Sequence, residues 1–221
     1  MSSPTLSKMK WQMAAVAAIF LCTIGIDQWI KVWVKTHMYL HEHIRITDWF
    51  YIFFTENNGM AFGMEFFDKI FLTLGRLVLV GFVVWYIGRC IRRGVQWGYL
   101  VCLSLIMAGA FGNIIDCVFY GLLFNNPVPP QVAHAVPFGT GYATWFYGRV
   151  VDMFYFPLVE WDWPQWMPWC GGRHFIFFSP IFNFADSCIS CGVIALVLFY
   201  RKMLMEEQGA PTANTEQNVQ S

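Results

Sequence analysis

Four stretches of this chain, residues 11–34, 70–90, 97–119 and 179–200, are almost unbroken apolar runs. A helix of roughly 20 apolar residues crosses the hydrocarbon core of a bilayer. Backbone polar groups find no water there, so helices or closed barrels alone can span it. Each run is therefore read as a transmembrane helix. The composition agrees, with 57% hydrophobic and 13% charged residues, where a soluble domain carries about a quarter charged. The formal net charge is zero, which argues against a polybasic or polyacidic partner, and no nucleic-acid patch is visible. The first run follows Lys8 and Lys10 but continues to Asp27 without a convincing cleavage site. It reads as a retained anchor, not a removed signal peptide.

Basic residues orient the bundle. Lys8 and Lys10 precede the first span, Arg89, Arg92 and Arg93 lie between the second and third, and Arg201 and Lys202 follow the fourth. The positive-inside tendency puts these clusters, and both termini, in the cytoplasm. The loops 35–69 and 120–178 are then outside. Arg76, near the outer end of the second span, is expected to snorkel outward. Residues 44–56 are rich in β-branched and aromatic side chains and predict a short sheet, followed by a turn at Asn57-Asn58-Gly59. The second outer loop holds Trp145, Trp161, Trp163, Trp166 and Trp169, which suit the headgroup layer. Residues 1–205 form one membrane domain in this reading, and the polar tail 206–221 is expected to be disordered and cytoplasmic.

Ionisable groups inside spans are costly and mark function or pairing. Asn113 and Asp116, and likewise Asn183 and Asp186, are three residues apart and share a helix face. Asp27 and Lys31 are spaced to form an ion pair on one face. All lie near the outer ends of their spans, at one depth. Asp152 lies in the second outer loop. Two neighbouring carboxyls in a low dielectric share a proton and can act as base on water and acid toward a scissile carbonyl. Asp152 and Asp186 are candidates, and Asp116 is an equal candidate for the second acid; the residue pattern does not choose. Asn57, Asn113 and Asn183 can orient a carboxylate or an extended peptide, or simply glue helices together. His41-Glu42-His43 lacks a third ligand and helical spacing, so no metal is expected. Of the seven cysteines, five lie in or beside apolar runs and read as small hydrophobes. Cys188 and Cys191 have a redox spacing without the context it needs. Two rival readings are a proton-coupled channel, which predicts polar groups at several depths, and a membrane scaffold, which predicts that the aspartates tolerate substitution.

Five segments in order resemble bacterial lipoprotein signal peptidase, or signal peptidase II: Asp27-Gln28-Trp29-Ile30-Lys31, Asn57-Asn58-Gly59-Met60-Ala61-Phe62, Gly109 through Asp116 (GAFGNIID), Val150-Val151-Asp152-Met153-Phe154, and Phe182-Asn183-Phe184-Ala185-Asp186-Ser187. The resemblance implies an all-α membrane protein of four transmembrane helices with a small extracytoplasmic β-cradle and an interfacial helix. It implies that Asp152 and Asp186 form the catalytic dyad, with Asp27, Lys31, Asn57, Gly59, Asn113, Asp116 and Asn183 supporting it or binding substrate. The implied substrate is a prolipoprotein with a diacylglyceryl-cysteine, cut before that cysteine in the inner membrane, among membrane lipid, by a monomer without metal or cofactor. Three positions depart from the family pattern. Cys117 stands where many members have arginine, which leaves a cation to be supplied elsewhere, with Arg149 the nominee. A long gap separates Asp116 from Asp152, explained by an insertion at about 120–147. Met153 replaces a common phenylalanine.

Overall fold

Thr5 opens the first helix: its hydroxyl oxygen accepts from the Lys8 backbone N–H at 3.4 Å, satisfying one of the amides a helix start leaves unpaired. The structure, a computed structural model, describes residues 5–57 and 69–203. Helix α1 spans Leu6–His37 and α2 spans Lys69–Arg93. Helix α3, Trp97–Ile115, runs on through a π-helical turn, Asp116–Tyr120, into a last short turn, α4, Gly121–Leu123. Three of these helical runs are long and apolar enough to cross a membrane. The fourth apolar helix, α5, covers Phe184–Phe199 and is shorter than expected. Residues 181–182 belong to a strand instead, and Asn183 caps the helix, so the apolar run from 179 is split between two kinds of structure.

The connections that follow α1 and α4 build two sheets. Strands β1 (His43–Thr47), β2 (Phe50–Asn57), β3 (Val150–Tyr155) and β6 (Ile181–Phe182) form an antiparallel sheet in the order β1-β2-β3-β6. Strands β4 (Val159–Asp162) and β5 (His174–Phe177) form a separate hairpin. The tryptophan-rich stretch is thus a β-hairpin and its tip, with Trp166 and Trp169 exposed. No separate interfacial helix occurs among the described residues.

Two apolar clusters divide the interior. One, with Val80, Ile87, Tyr99, Leu103, Met107 and Leu196, joins the helices. The other seats the sheet on the C-terminal end of α1 and the helical turn that follows α3, through Val34, Met38, Phe54, Tyr120, Val151 and Met153. Small residues bring α3 and α5 together, as is usual where lipid gives no hydrophobic drive for helix association. A Cβ on Gly192 would stand 2.8 Å from the Cys102 carbonyl, and one on Gly109 would overlap the Ala185 carbonyl.

Candidate active site

β3 is an inner strand of the four-stranded sheet, between β2 and β6, and packs against α1, so residues 150–153 are buried on both faces. Val151 and Met153 point into the apolar cluster beneath the sheet. By the period of two, Asp152 points the other way, beside its β2 neighbour Thr55, and is itself buried. Asp186 reaches the same place from α5. There Asn183 and Asp186 form a capping box: Asn183 Oδ1 accepts from the Asp186 N–H at 3.0 Å, and Asp186 Oδ2 accepts from the Asn183 N–H at 3.3 Å. An asparagine followed three residues later by an acid, before an apolar run, is a helix-start signature. Read that way, the sequence places Asn183 at a helix end and not inside a span.

Amides link the two carboxyls. Asn183 Nδ2 donates to Asp152 Oδ1 at 2.6 Å and to Asn113 Oδ1 at 3.2 Å. Asn113 Nδ2 donates to Asp186 Oδ1 at 2.8 Å. Asn57, at the end of β2, also hydrogen-bonds Asp152 through its side chain. Burial and the negative charge of Asp186 push the Asp152 carboxyl up to about 7, against the amide hydrogen bonds that favour its ionised form. Asp186 is half-buried, so one member of the pair is reachable while the other is enclosed.

Behind the amides lies a second, ionic layer. Lys31 Nζ is 3.0 Å from Asp27 Oδ2 and 2.8 Å from Asp116 Oδ2, and it donates to Asn113 Oδ1 at 2.8 Å. The expected Asp27–Lys31 pair is therefore present, with Asp116 as a further partner. The remaining carboxylate oxygens are also satisfied. Asp27 Oδ1 accepts from the Ala185 N–H at 3.0 Å, Asp116 Oδ2 from the Val151 N–H at 3.3 Å, and Asp116 Oδ1 from Gln28 Nε2 at 2.9 Å. A buried ion group holds when every lone pair and proton finds a partner, and this one ties α1, α3, α5 and β3 together.

Sequence reasoning singled out neither Gln28 nor Tyr120 as a site residue. Gln28 donates to Asp27, Asp116 and the Gly112 carbonyl, and its Oε1 accepts from the Tyr120 hydroxyl at 3.1 Å. Its only sequence signal is a polar side chain beside Asp27 in a span. A Glu56 cluster was missed as well. Lys35 pairs with Glu56 Oε1, and Arg149 Nη1 pairs with Glu56 Oε2 at 3.0 Å. The Tyr142 ring lies against both cations, 5.2 Å from each. These partners are far apart in the chain and carry no local signal.

Two expectations about cations change. Arg149, nominated to stand in beside Asp116, is committed to Glu56; the cation on Asp116 is Lys31. Arg76, expected to reach toward the headgroups, meets a side chain of the helical turn after α3. It turns into the bundle, and its Nη1 donates to Cys117 Sγ at 3.6 Å, because the thiol on the facing helix offers an acceptor where lipid offers none. Gly59 lies outside the described residues. Among the described residues, no cluster of metal-ligating side chains occurs.

The family described as Signal peptidase (SPase) II matches residues 19–202. The chain belongs to that family. It is an aspartic-type endopeptidase, an integral enzyme of the bacterial inner membrane. The lipoprotein signal peptidase of Porphyromonas gingivalis is 48% identical over 93% of this chain and 92% of its own length. That of Amoebophilus asiaticus is 34% identical over 91% of this chain and 82% of its own length. The fold is also that of a bacterial membrane enzyme solved by the in meso method at 2.3 Å, with a TM-score of 0.57 at 21% identity over 90% of this chain and 94% of that one.

Proposed function

We propose that Asp152 and Asp186 are the acid–base dyad with which this signal peptidase II removes signal peptides from diacylglyceryl-modified prolipoproteins. The observation that carries this reading is the linkage of the two carboxyls through amides, with no ion-pair partner for either among the described residues. Two close carboxyls without a compensating cation cannot both ionise at low cost, so they hold one proton between them. Asp116, the rival second acid, has both oxygens engaged by Lys31, Gln28 and a backbone amide. It is fully buried, and its nearest charge is the Lys31 ammonium rather than a second proton-sharing carboxyl.

In the proposed reaction the enclosed Asp152 carries the shared proton and the half-buried Asp186 takes one from water. The water oxygen attacks the scissile carbonyl as Asp152 protonates the carbonyl oxygen, which gives a neutral tetrahedral diol. Collapse of that diol passes a proton to the nitrogen of the lipidated cysteine and breaks the C–N bond. Proton transfers of this kind contribute about 10²- to 10⁴-fold each. The asparagines keep both carboxyls oriented throughout. The chain acts alone in this reading, with both termini in the cytoplasm and the site near the extracytoplasmic face, as the basic clusters at 8–10, 89–93 and 201–202 support.

The test is cleavage of a diacylglyceryl-modified lipobox peptide by purified protein, wild type beside Asp186→Asn. Release of a product beginning with the lipidated cysteine, absent in the variant, is the expected result. Turnover by a folded Asp186→Asn protein would remove Asp186 from the mechanism, and a folded wild type that cannot cut would remove the substrate assignment.

A further inference from the structure

We infer that Arg76 is a substrate-binding residue whose guanidinium holds a carbonyl oxygen of the bound prolipoprotein; the inference rests on the function proposed above. An arginine inside a span is costly and is ordinarily matched by strong acceptors. Its neighbours at the same end of the bundle follow that rule. Lys31 has Asp27 and Asp116, and Lys35 and Arg149 share Glu56. Among the described residues, the acceptor found for Arg76 is the Cys117 thiol at 3.6 Å. A thiol is a weak acceptor and takes one of the five N–H donors a guanidinium carries. The rest of the fork is left for a ligand.

Its place suits a ligand of the dyad. Cys117 follows Asn113 by four positions, so the two share a face of the helix, and Asn113 is the residue that donates to Asp186. Cys117 therefore stands about one turn, roughly 5.4 Å, from Asn113 along the helix that carries the donor to Asp186, and the guanidinium lies against it. Cys117 cannot move aside easily, because it is buried and its carbonyl accepts from the Gly148 N–H at 2.8 Å. The nearby carboxyls would repel an anion, whereas a neutral carbonyl dipole meets no such penalty. An arginine at position 117 would bring a guanidinium to the same place from the other helical wall, since Arg76 already meets the Cys117 side chain there. The acceptor is either a lipobox backbone carbonyl or an ester carbonyl of the diacylglyceryl group.

The experiment compares wild type, Arg76→Ala, Arg76→Lys and the double variant Arg76→Ala/Cys117→Arg, each checked for folding by its melting curve. Two substrates are used, the diacylglyceryl lipobox peptide and its dialkyl ether analogue, which lacks ester carbonyls. Arg76→Ala is expected to lower kcat/KM about tenfold to hundredfold, mostly through KM, as for loss of a charged hydrogen bond. Arg76→Lys falls between, since it keeps charge without the fork. The double variant regains most of the loss. Equal losses on both substrates assign the contact to the peptide backbone, and a loss confined to the ester substrate assigns it to the lipid. Arg76→Gln reads the same loss where the alanine variant fails to fold. Unchanged kcat/KM in folded Arg76→Ala overturns the inference, and so does a loss that Cys117→Arg does not repair. Wild type that fails to cut either substrate overturns the underlying function instead.

Discussion

Two pairs of aspartates meet at the end of the bundle that carries the four-stranded sheet, and they are held in opposite ways. Asp27 and Asp116 grip one ammonium, that of Lys31, at 3.0 and 2.8 Å. Asp152 and Asp186 are tied to each other through the amides of Asn113 and Asn183. An ammonium between two carboxylates gives each an ion-pair partner and offsets one of their two charges. An amide orients a carboxylate but leaves its charge in place, so the pair must keep a proton. The same residue type at the same depth is thereby structural in one layer and chemically active in the other. Asn113 joins the layers: its Oδ1 accepts from Lys31 while its Nδ2 donates to Asp186.

Replacing charge without changing shape tests that contrast most strongly. Asp152→Asn and Asp186→Asn are each expected to lower kcat by about 10²- to 10⁴-fold or more with the fold retained. Asp116→Asn is expected to act first on stability, seen as a lower melting temperature. Folded Asp116→Asn protein that is as inactive as the dyad variants would break the comparison.

Lys31→Met probes the ionic layer directly. It leaves two carboxylates buried without their cation, which costs about 3–5 kcal/mol, read by denaturant unfolding in detergent. A loss below about 1 kcal/mol would mean the ammonium is not what neutralises Asp27 and Asp116.

The proton on the amide-linked pair gives a pH signature. Asp152 is raised from its ordinary 3.8 to about 7, so the folded protein binds a proton there that the unfolded chain releases. That contribution to stability is fully present below about 4 and is lost as the pH rises through about 7. Asp152→Asn is expected to flatten the melting temperature across this window and to raise it at pH 8. Cleavage by wild type is expected to decline above about pH 7 as the shared proton leaves.

The smallest effect expected is from Asn183→Ser. Serine caps helices as well as asparagine does, so the change in stability is expected to stay below about 1 kcal/mol. The donor to Asp152 is lost, and kcat is expected to fall about tenfold, in line with one charged hydrogen bond. Equal activity would show that the Asn183 amide does not orient the dyad.

Much of this was legible before any coordinates. The apolar runs announced four helices, residues 44–56 announced strands, and the polar residues Asp27, Lys31, Asn113 and Asp116 were legible as costly groups within those runs. The start of α5 was placed too early, because apolarity alone does not separate β6 and a capping asparagine from the helix that follows. The Glu56 cluster escaped notice because Lys35, Tyr142 and Arg149 have no local relation to it.

Helix number and helix order are properties of single segments, and the sequence by itself determined them through hydropathy and the fixed rise of a helix. Which carboxyl faces which partner is a property of side chains brought together from distant segments. Lys31 reaches Asp116 and Asn183 reaches Asp152 only after α1, α3, α5 and β3 have packed. The tertiary structure therefore decided which aspartates are neutralised by an ammonium and which are joined through amides, because ion pairing and proton sharing depend on distances of about 3 Å that no single segment contains.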